Sequence, residues 1–258
     1  MAKFIMTCTQ ALLSLLLVSP CTNVGGASTE LDIAAALASP KRSETDRARD
    51  ALRKPDQVLD FFEIKPGMRV LDLFSGGGYY TELLSLVVGP TGSVVSHNNQ
   101  AYVDYEGDQI TARYSENRLQ NVEQVVAEAD DLQLPDAGFD AVLAILTWHD
   151  FYYSDASFNW HEIDEVALVR KLCSATKPGA VLGIIDHVAV AGADPRKAGQ
   201  ELHRVDPSHI KKDLEGSCFE FVSEAKFLRN PDDQLDKVVV DPAVRGKTDQ
   251  VVYKFRRN

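Results

Sequence analysis

The residues best equipped for chemistry stand in one phrase, Asp72-Leu73-Phe74-Ser75-Gly76-Gly77-Gly78, and in three short clusters further along the chain. The phrase follows an apolar run and precedes a helical pattern, so it reads as a buried strand ending in a glycine loop that opens a helix. Three glycines permit a tight bend and let a ligand approach the main chain with no side chain in the way. The free N–H groups at the mouth of the next helix favour a carboxylate or another acidic group. A glycine triplet alone is equally consistent with a bare strand-to-helix turn. The loop does not spell the Gly-x-Gly-x-x-Gly that a nicotinamide dinucleotide site prefers.

The second cluster, Thr147-Trp148-His149-Asp150-Phe151-Tyr152-Tyr153, sets one histidine among aromatic residues. His149 could act as a general base or orient a substrate, with Trp148, Tyr152 and Tyr153 as an aromatic wall. Equally, the aromatics are core and His149 bonds the main chain. Asp186-His187, ending the fifth strand, and His203-Arg204-Val205-Asp206, read as the opening of the next helix, supply further polar groups, which with His149 suggest an acid/base pair or a divalent metal site. His149, Asp186 and His187 are the catalytic candidates, although an aspartate such as Asp186 also caps helices. No cluster has histidines at i, i+4 or grouped cysteines, so no metal ligands are assigned.

The elements that must position these groups alternate. Residues 28–65 read as a helical cover, with Ser43 and Asp46 at capping-box spacing and Pro55 at the first position of a helix over 56–62. From Met68 the chain alternates β-rich runs (69–74, 93–97, 122–128, 139–147 and 180–186) with helical segments (79–88, 108–119 and 161–176). That order implies βαβ units and a mostly parallel sheet. The nearly continuous apolar runs at 139–147 and 180–186 suit central strands covered on both faces. Two further strands, 219–228 and 250–256, close the chain. Arg47, Asp50 and Arg53 on the leading helix could close over the site or form an ordinary solvated face.

Four phrases in order resemble the class I S-adenosylmethionine-dependent methyltransferases over most of residues 66–256, and exported bacterial proteins called predicted methyltransferases in particular. Asp72, Gly76 and Gly78 match the family's Asp-Leu-Gly-x-Gly-x-Gly, with Phe74 in place of the first glycine. Gly89 to Val95 resembles the turn into the second strand, whose end presents an acid to the ribose hydroxyls; Asn98 stands there instead. Glu128 to Leu132, with Leu134-Pro135-Asp136 and Phe139 to Val142, resembles the stretch in which Asp130 or Asp131 meets the adenine amino group. Lys177-Pro178-Gly179-Ala180 resembles the turn before the fifth strand. The resemblance implies an α/β, Rossmann-like fold, a seven-stranded mostly parallel sheet with an antiparallel last strand and helices on both faces. It implies S-adenosylmethionine as cofactor, held by Asp72, Ser75, Gly76, Gly77, Gly78, Asn98, Asp130, Asp131 and Thr147, and methyl transfer to a small molecule. Asn98, Phe74 and the export signal keep open a binding module without transfer; a metal-assisted hydrolase using His149, Asp186, His187 and His203 is the weaker alternative.

Residues 1–27 read as a secretory leader, with Lys3 their only charge, an apolar run from Ala11 to Val18 and small residues up to Ala27. The run is too short to span a bilayer. Val18-Ser19-Pro20-Cys21 resembles a lipobox, which would anchor the chain at Cys21, although Pro20 departs from it. The expected mature part is a single domain, 28–258, in the periplasm. Cys173 and Cys218 could pair there, but their spacing decides nothing and two buried thiols are the default reading. Acidic residues outnumber basic ones, 38 to 27, and the basic ones are scattered, which excludes a nucleic-acid footprint and favours a small substrate.

Overall fold

The fold is that of a computed structural model, which describes Met1 and residues 32–258. Residues 2–31, with the leader's apolar run, Cys21 and the junction after Ala27, lie outside the described residues. The cover consists of α1 (residues 32–37), α2 (Glu44–Arg53) and α3 (Pro55–Phe61). Ser43 caps α2 by accepting from the Asp46 N–H at 3.1 Å. Lys54 then turns left-handed, at φ 44°, and Pro55 starts α3.

Seven strands follow: β1 (Arg69–Leu73), β2 (Ser93–Asn98), β3 (Val122–Val126), β4 (Phe139–Ile145), β5 (Thr176–His187), β6 (Phe219–Ala225) and β7 (Gln250–Arg257). Their spatial order is β3-β2-β1-β4-β5-β7-β6, and β7 runs antiparallel to both neighbours while β1 to β5 pair in parallel. The crossovers contain α4 (Tyr79–Val88), α5 (Gln100–Tyr114) and α6 (Glu165–Ala175); α7 (Pro195–Leu202) and α8 (Pro207–Asp213) precede β6. Successive strand residues feed two separate cores: Leu71, Val142 and Leu182 join one, whereas Val70, Ala141 and Val181 join the other. A sheet apolar on both faces is what near-continuous hydrophobic strands require.

Three local expectations change. Helix α5 begins at Gln100 rather than 108, because Asn99 caps it by accepting from the Tyr102 N–H at 2.9 Å. Only two of its residues, Ala101 and Arg113, are buried, so apolar periodicity could not reveal the start. His203 does not open a helix but ends α7 in a left-handed turn, φ 53°, and Asp206 caps α8 ahead of Pro207. Finally, the default of two free thiols is overturned: Cys173 on α6 and Cys218 before β6 form a disulfide, with Cα atoms 5.8 Å apart.

Candidate active site

Parallel pairing of β1 with β2 and β4, and of β4 with β5, brings the loops after these strands to one edge of the sheet. That edge is where open α/β sheets bind ligands. Asp72, at the end of β1, is buried and accepts from the Thr81 hydroxyl at 2.6 Å. Burial outweighs that bond and pushes its carboxyl up to about 7. Phe74 turns left-handed at φ 51° and is buried, its ring against His97, Tyr102 and Phe151. His97 is neutral, since burial lowers it to about 4, and it braces the loop: its Nδ1 accepts from the Phe74 N–H and its Nε2 reaches the Ala127 carbonyl.

Asn98, at the end of β2, meets the glycine loop. Its Oδ1 accepts from the Gly76 N–H at 2.9 Å and its Nδ2 donates to the Gly76 carbonyl at 3.0 Å, so both ends of the amide bond to Gly76. Asn98 thus braces the glycine turn, and one amide N–H and one lone pair of Oδ1 remain for a ribose hydroxyl. Ser75 pairs with Ser96, hydroxyl to hydroxyl at 2.7 Å, and Tyr114 donates to Ser96. Helix α5 lies across the loop: a Cβ on Gly77 would stand 3.0 Å from Gln109, and one on Gly78 would stand 3.3 Å from Arg113. Arg113 donates to the Gly77 carbonyl at 3.0 Å and pairs with Asp46 of α2 and Glu82 of α4. Asp130 and Asp131 are exposed on the loop after β3. Thr147, after β4, is buried, and its hydroxyl has no hydrogen-bond partner.

Beside the loop stands a buried polar cluster. Asp186, at the end of β5, takes two bonds from His149, from its main-chain N–H and its Nδ1, each at 2.7 Å. The first of these caps the short turn His149–Tyr152, so Asp186 is both a cap and a partner of the imidazole. Nε2 of His149 faces Asp150 Oδ1 at 3.3 Å, and Nδ1 of His203 lies 3.6 Å from the same oxygen. Burial disfavours the His149 imidazolium, but Asp150 and Asp186 on either side outweigh it and hold the ring at about 9. His187 is driven well below its usual value, first by burial and then by His149, and pairs with the Thr248 hydroxyl at 2.7 Å.

Tyr102 joins the two halves of the site. Its hydroxyl donates to Asp150 at 2.5 Å, and its ring would lie 3.9 Å from a Cβ on Gly76. The aromatic wall differs from the expected one. Trp148 is fully buried and donates to Asp213, whereas Tyr153 stacks on His203, and Trp160 packs on Tyr102 and Tyr153 with its indole N–H buried and unpartnered. Tyr102 and Trp160 carried no local signal, because neither belongs to a polar motif in the sequence.

Residues 64–242 match the family described as "Methyltransferase domain". The chain belongs to this family. The methyltransferase domain is 30% identical over 130 residues to the ubiquinone/menaquinone biosynthesis C-methyltransferase UbiE of Pseudomonas putida, a match covering 50% of this chain and 45% of that protein. A 2-phytyl-1,4-naphtoquinone methyltransferase of Synechococcus elongatus is 33% identical over 124 residues, 47% of each chain. The matches thus span about half the length of these curated relatives. A SAM-dependent methyltransferase structure from Aquifex aeolicus shares the fold, with TM-score 0.55 and 23% identity over 88% of this chain and 98% of that one.

The cofactor of this methyltransferase domain is S-adenosylmethionine, and the residues present fit it. The left-handed glycines Gly76 and Gly78 add no side chains of their own to the loop, and the orphaned Thr147 hydroxyl, just after the strand beside β1, offers a buried polar contact. Asp72, Ser75, Gly76, Gly77, Gly78 and Thr147 are the residues that would hold it, with Asp130 and Asp131 on the neighbouring loop.

Proposed function

We propose that the protein transfers the methyl group of S-adenosylmethionine to a small molecule bound against Tyr102, Tyr153 and Trp160. When bound, the cofactor supplies an electrophilic methyl carbon. One observation carries the reading: Tyr102 packs against the glycine loop and hydrogen-bonds Asp150, so the cofactor loop and a charged buried cluster lie within reach of one small molecule. Asp150 and Asp186 supply negative charge beside His149, suited to the positive charge set free when an acceptor O–H, N–H or S–H loses its proton. The aromatic side chains offer flat apolar surface suited to a flat apolar acceptor such as a quinone; one relative is named for ubiquinone/menaquinone biosynthesis and the other for 2-phytyl-1,4-naphtoquinone.

Titration calorimetry with S-adenosylmethionine and with its demethylated product tests cofactor binding, and no heat with either would overturn the reading. Labelled cofactor incubated with a metabolite pool should yield a labelled small molecule. Binding without transferred label would favour a second reading, cofactor capture alone, motivated by the departures from the family motif at Phe74 and Asn98 and by the leader. Export is the companion proposal, supported by the apolar leader and by a disulfide of the kind that persists in oxidising compartments. A mature terminus at Ser28 would agree with soluble export, an acylated Cys21 with an anchored form, and a retained Met1 would reject both.

A further inference from the structure

We infer that His149, Asp150 and His203 bind a first-row divalent transition-metal ion of the zinc class. The three side chains offer ligand atoms that all lie within 4.8 Å of one another. In a tetrahedral site with bonds of about 2.0–2.1 Å, ligand atoms stand about 3.4 Å apart. Asp150 Oδ1 is 3.3 Å from His149 Nε2 and 3.6 Å from His203 Nδ1, so two of the three ligand pairs already have that spacing. The hydrogen bond of the His149 ring is made by Nδ1, to Asp186; Nε2 faces the Asp150 carboxylate without the alignment of one.

A second observation points the same way. Histidine ligands are held by a carboxylate on the ring nitrogen that does not touch the metal, and Asp186, fully buried, does this to His149 at 2.7 Å while also fixing its main-chain N–H. His203 is set by the main chain. It is held left-handed at φ 53°, and the next residue, Arg204, is buried and anchored to the carbonyls of Val188 and Lys237 and to Asp233. Such a conformation costs energy and persists where the surroundings impose it. Gly199 lets α7 reach the cluster, since a Cβ there would stand 2.8 Å from the His149 carbonyl. Two imidazoles and one carboxylate favour zinc, cobalt, nickel or iron over magnesium. Three protein ligands leave a coordination position, and the His203 side chain is 30% exposed, so the ion is accessible from outside. Resting on the methyl-transfer reading above, that position would take the oxygen, nitrogen or sulfur of the acceptor.

The test uses the full chain, stripped with chelator and titrated with Zn2+, Co2+ and Mg2+. Zn2+ should bind at one equivalent, Co2+ should give the visible absorption bands of a tetrahedral site, and Mg2+ should give no saturable binding. His203→Ala, at the accessible ligand, should lose stoichiometric binding and the cobalt bands while keeping the far-UV circular dichroism of the parent. Asp186→Asn should keep the ion but weaken it about 10–100-fold. Absence of stoichiometric Zn2+ and Co2+ binding, or binding unchanged in His203→Ala, would overturn the proposal. Calorimetry of S-adenosylmethionine on the stripped protein separates the two readings, because cofactor binding without metal binding sinks only this one.

Discussion

At Phe74 and Asn98 the chain departs from the family's motif twice, and the two departures stand on either side of one turn. A phenylalanine forced left-handed is strained, and it is compensated by burial against His97 and Tyr102 and by the His97 acceptor on its N–H. Asn98 then pins Gly76 from both sides. Asp72 makes the loop sensitive to pH. Its folded pKa of about 7 lies above the ordinary 3.8, so the folded state holds the extra proton, and stability falls as pH rises through that window. Asp72→Asn should remove this slope, read as the difference between parent and variant denaturant midpoints from pH 4 to 8; parallel curves would contradict it. Thr147→Val tests the orphaned hydroxyl. Because the hydroxyl is buried with no partner in the protein, the variant should be at least as stable as the parent. It should lose one hydrogen bond to the cofactor, about 0.5–1.5 kcal/mol or roughly 2- to 12-fold in Kd, by calorimetry. An unchanged Kd would remove Thr147 from the site.

Helix α5 is placed by ions as well as by the apolar packing of Ala101 and Tyr102 at its start. Among its residues only Ala101 and Arg113 are buried, and Arg113 carries the polar attachment through Asp46, Glu82 and the Gly77 carbonyl. Arg113→Met would leave Asp46 with Arg49 alone and Glu82 with Arg118 alone, so the loss, measured as a lower denaturant midpoint, should fall short of the about 3–5 kcal/mol of a buried charge left without any partner. It should also weaken cofactor binding, since the same side chain fixes the loop. A midpoint within 1 kcal/mol of the parent, on the scale of that loss, would show that α5 is held in another way. The strands were legible because their apolar runs are long, and α4 because its pattern follows the glycine loop directly. The start of α5 was not, since a helix with only two buried residues leaves no periodicity to read.

On the scale of the whole molecule, the disulfide closes a segment of sequence separation 45 and ties α6 to the start of β6, across the stretch that contains β5, α7 and α8. Reduction, or Cys173→Ser with Cys218→Ser, should cost about 2–4 kcal/mol in urea unfolding. A parent protein indifferent to reductant would show that the bond contributes nothing. The sequence by itself determined the class of fold, the order of β1 to β5, the glycine loop and the family, because each depends on neighbours in the chain: apolar runs, turn residues and caps. Only the tertiary structure decided the rest. It paired Cys173 with Cys218, turned Asn98 onto Gly76, and gathered His149, Asp150, Asp186 and His203 with Tyr102, residues up to 101 positions apart. Such contacts arise where parallel strands end together at one edge, and spacing along the chain carries no record of that meeting.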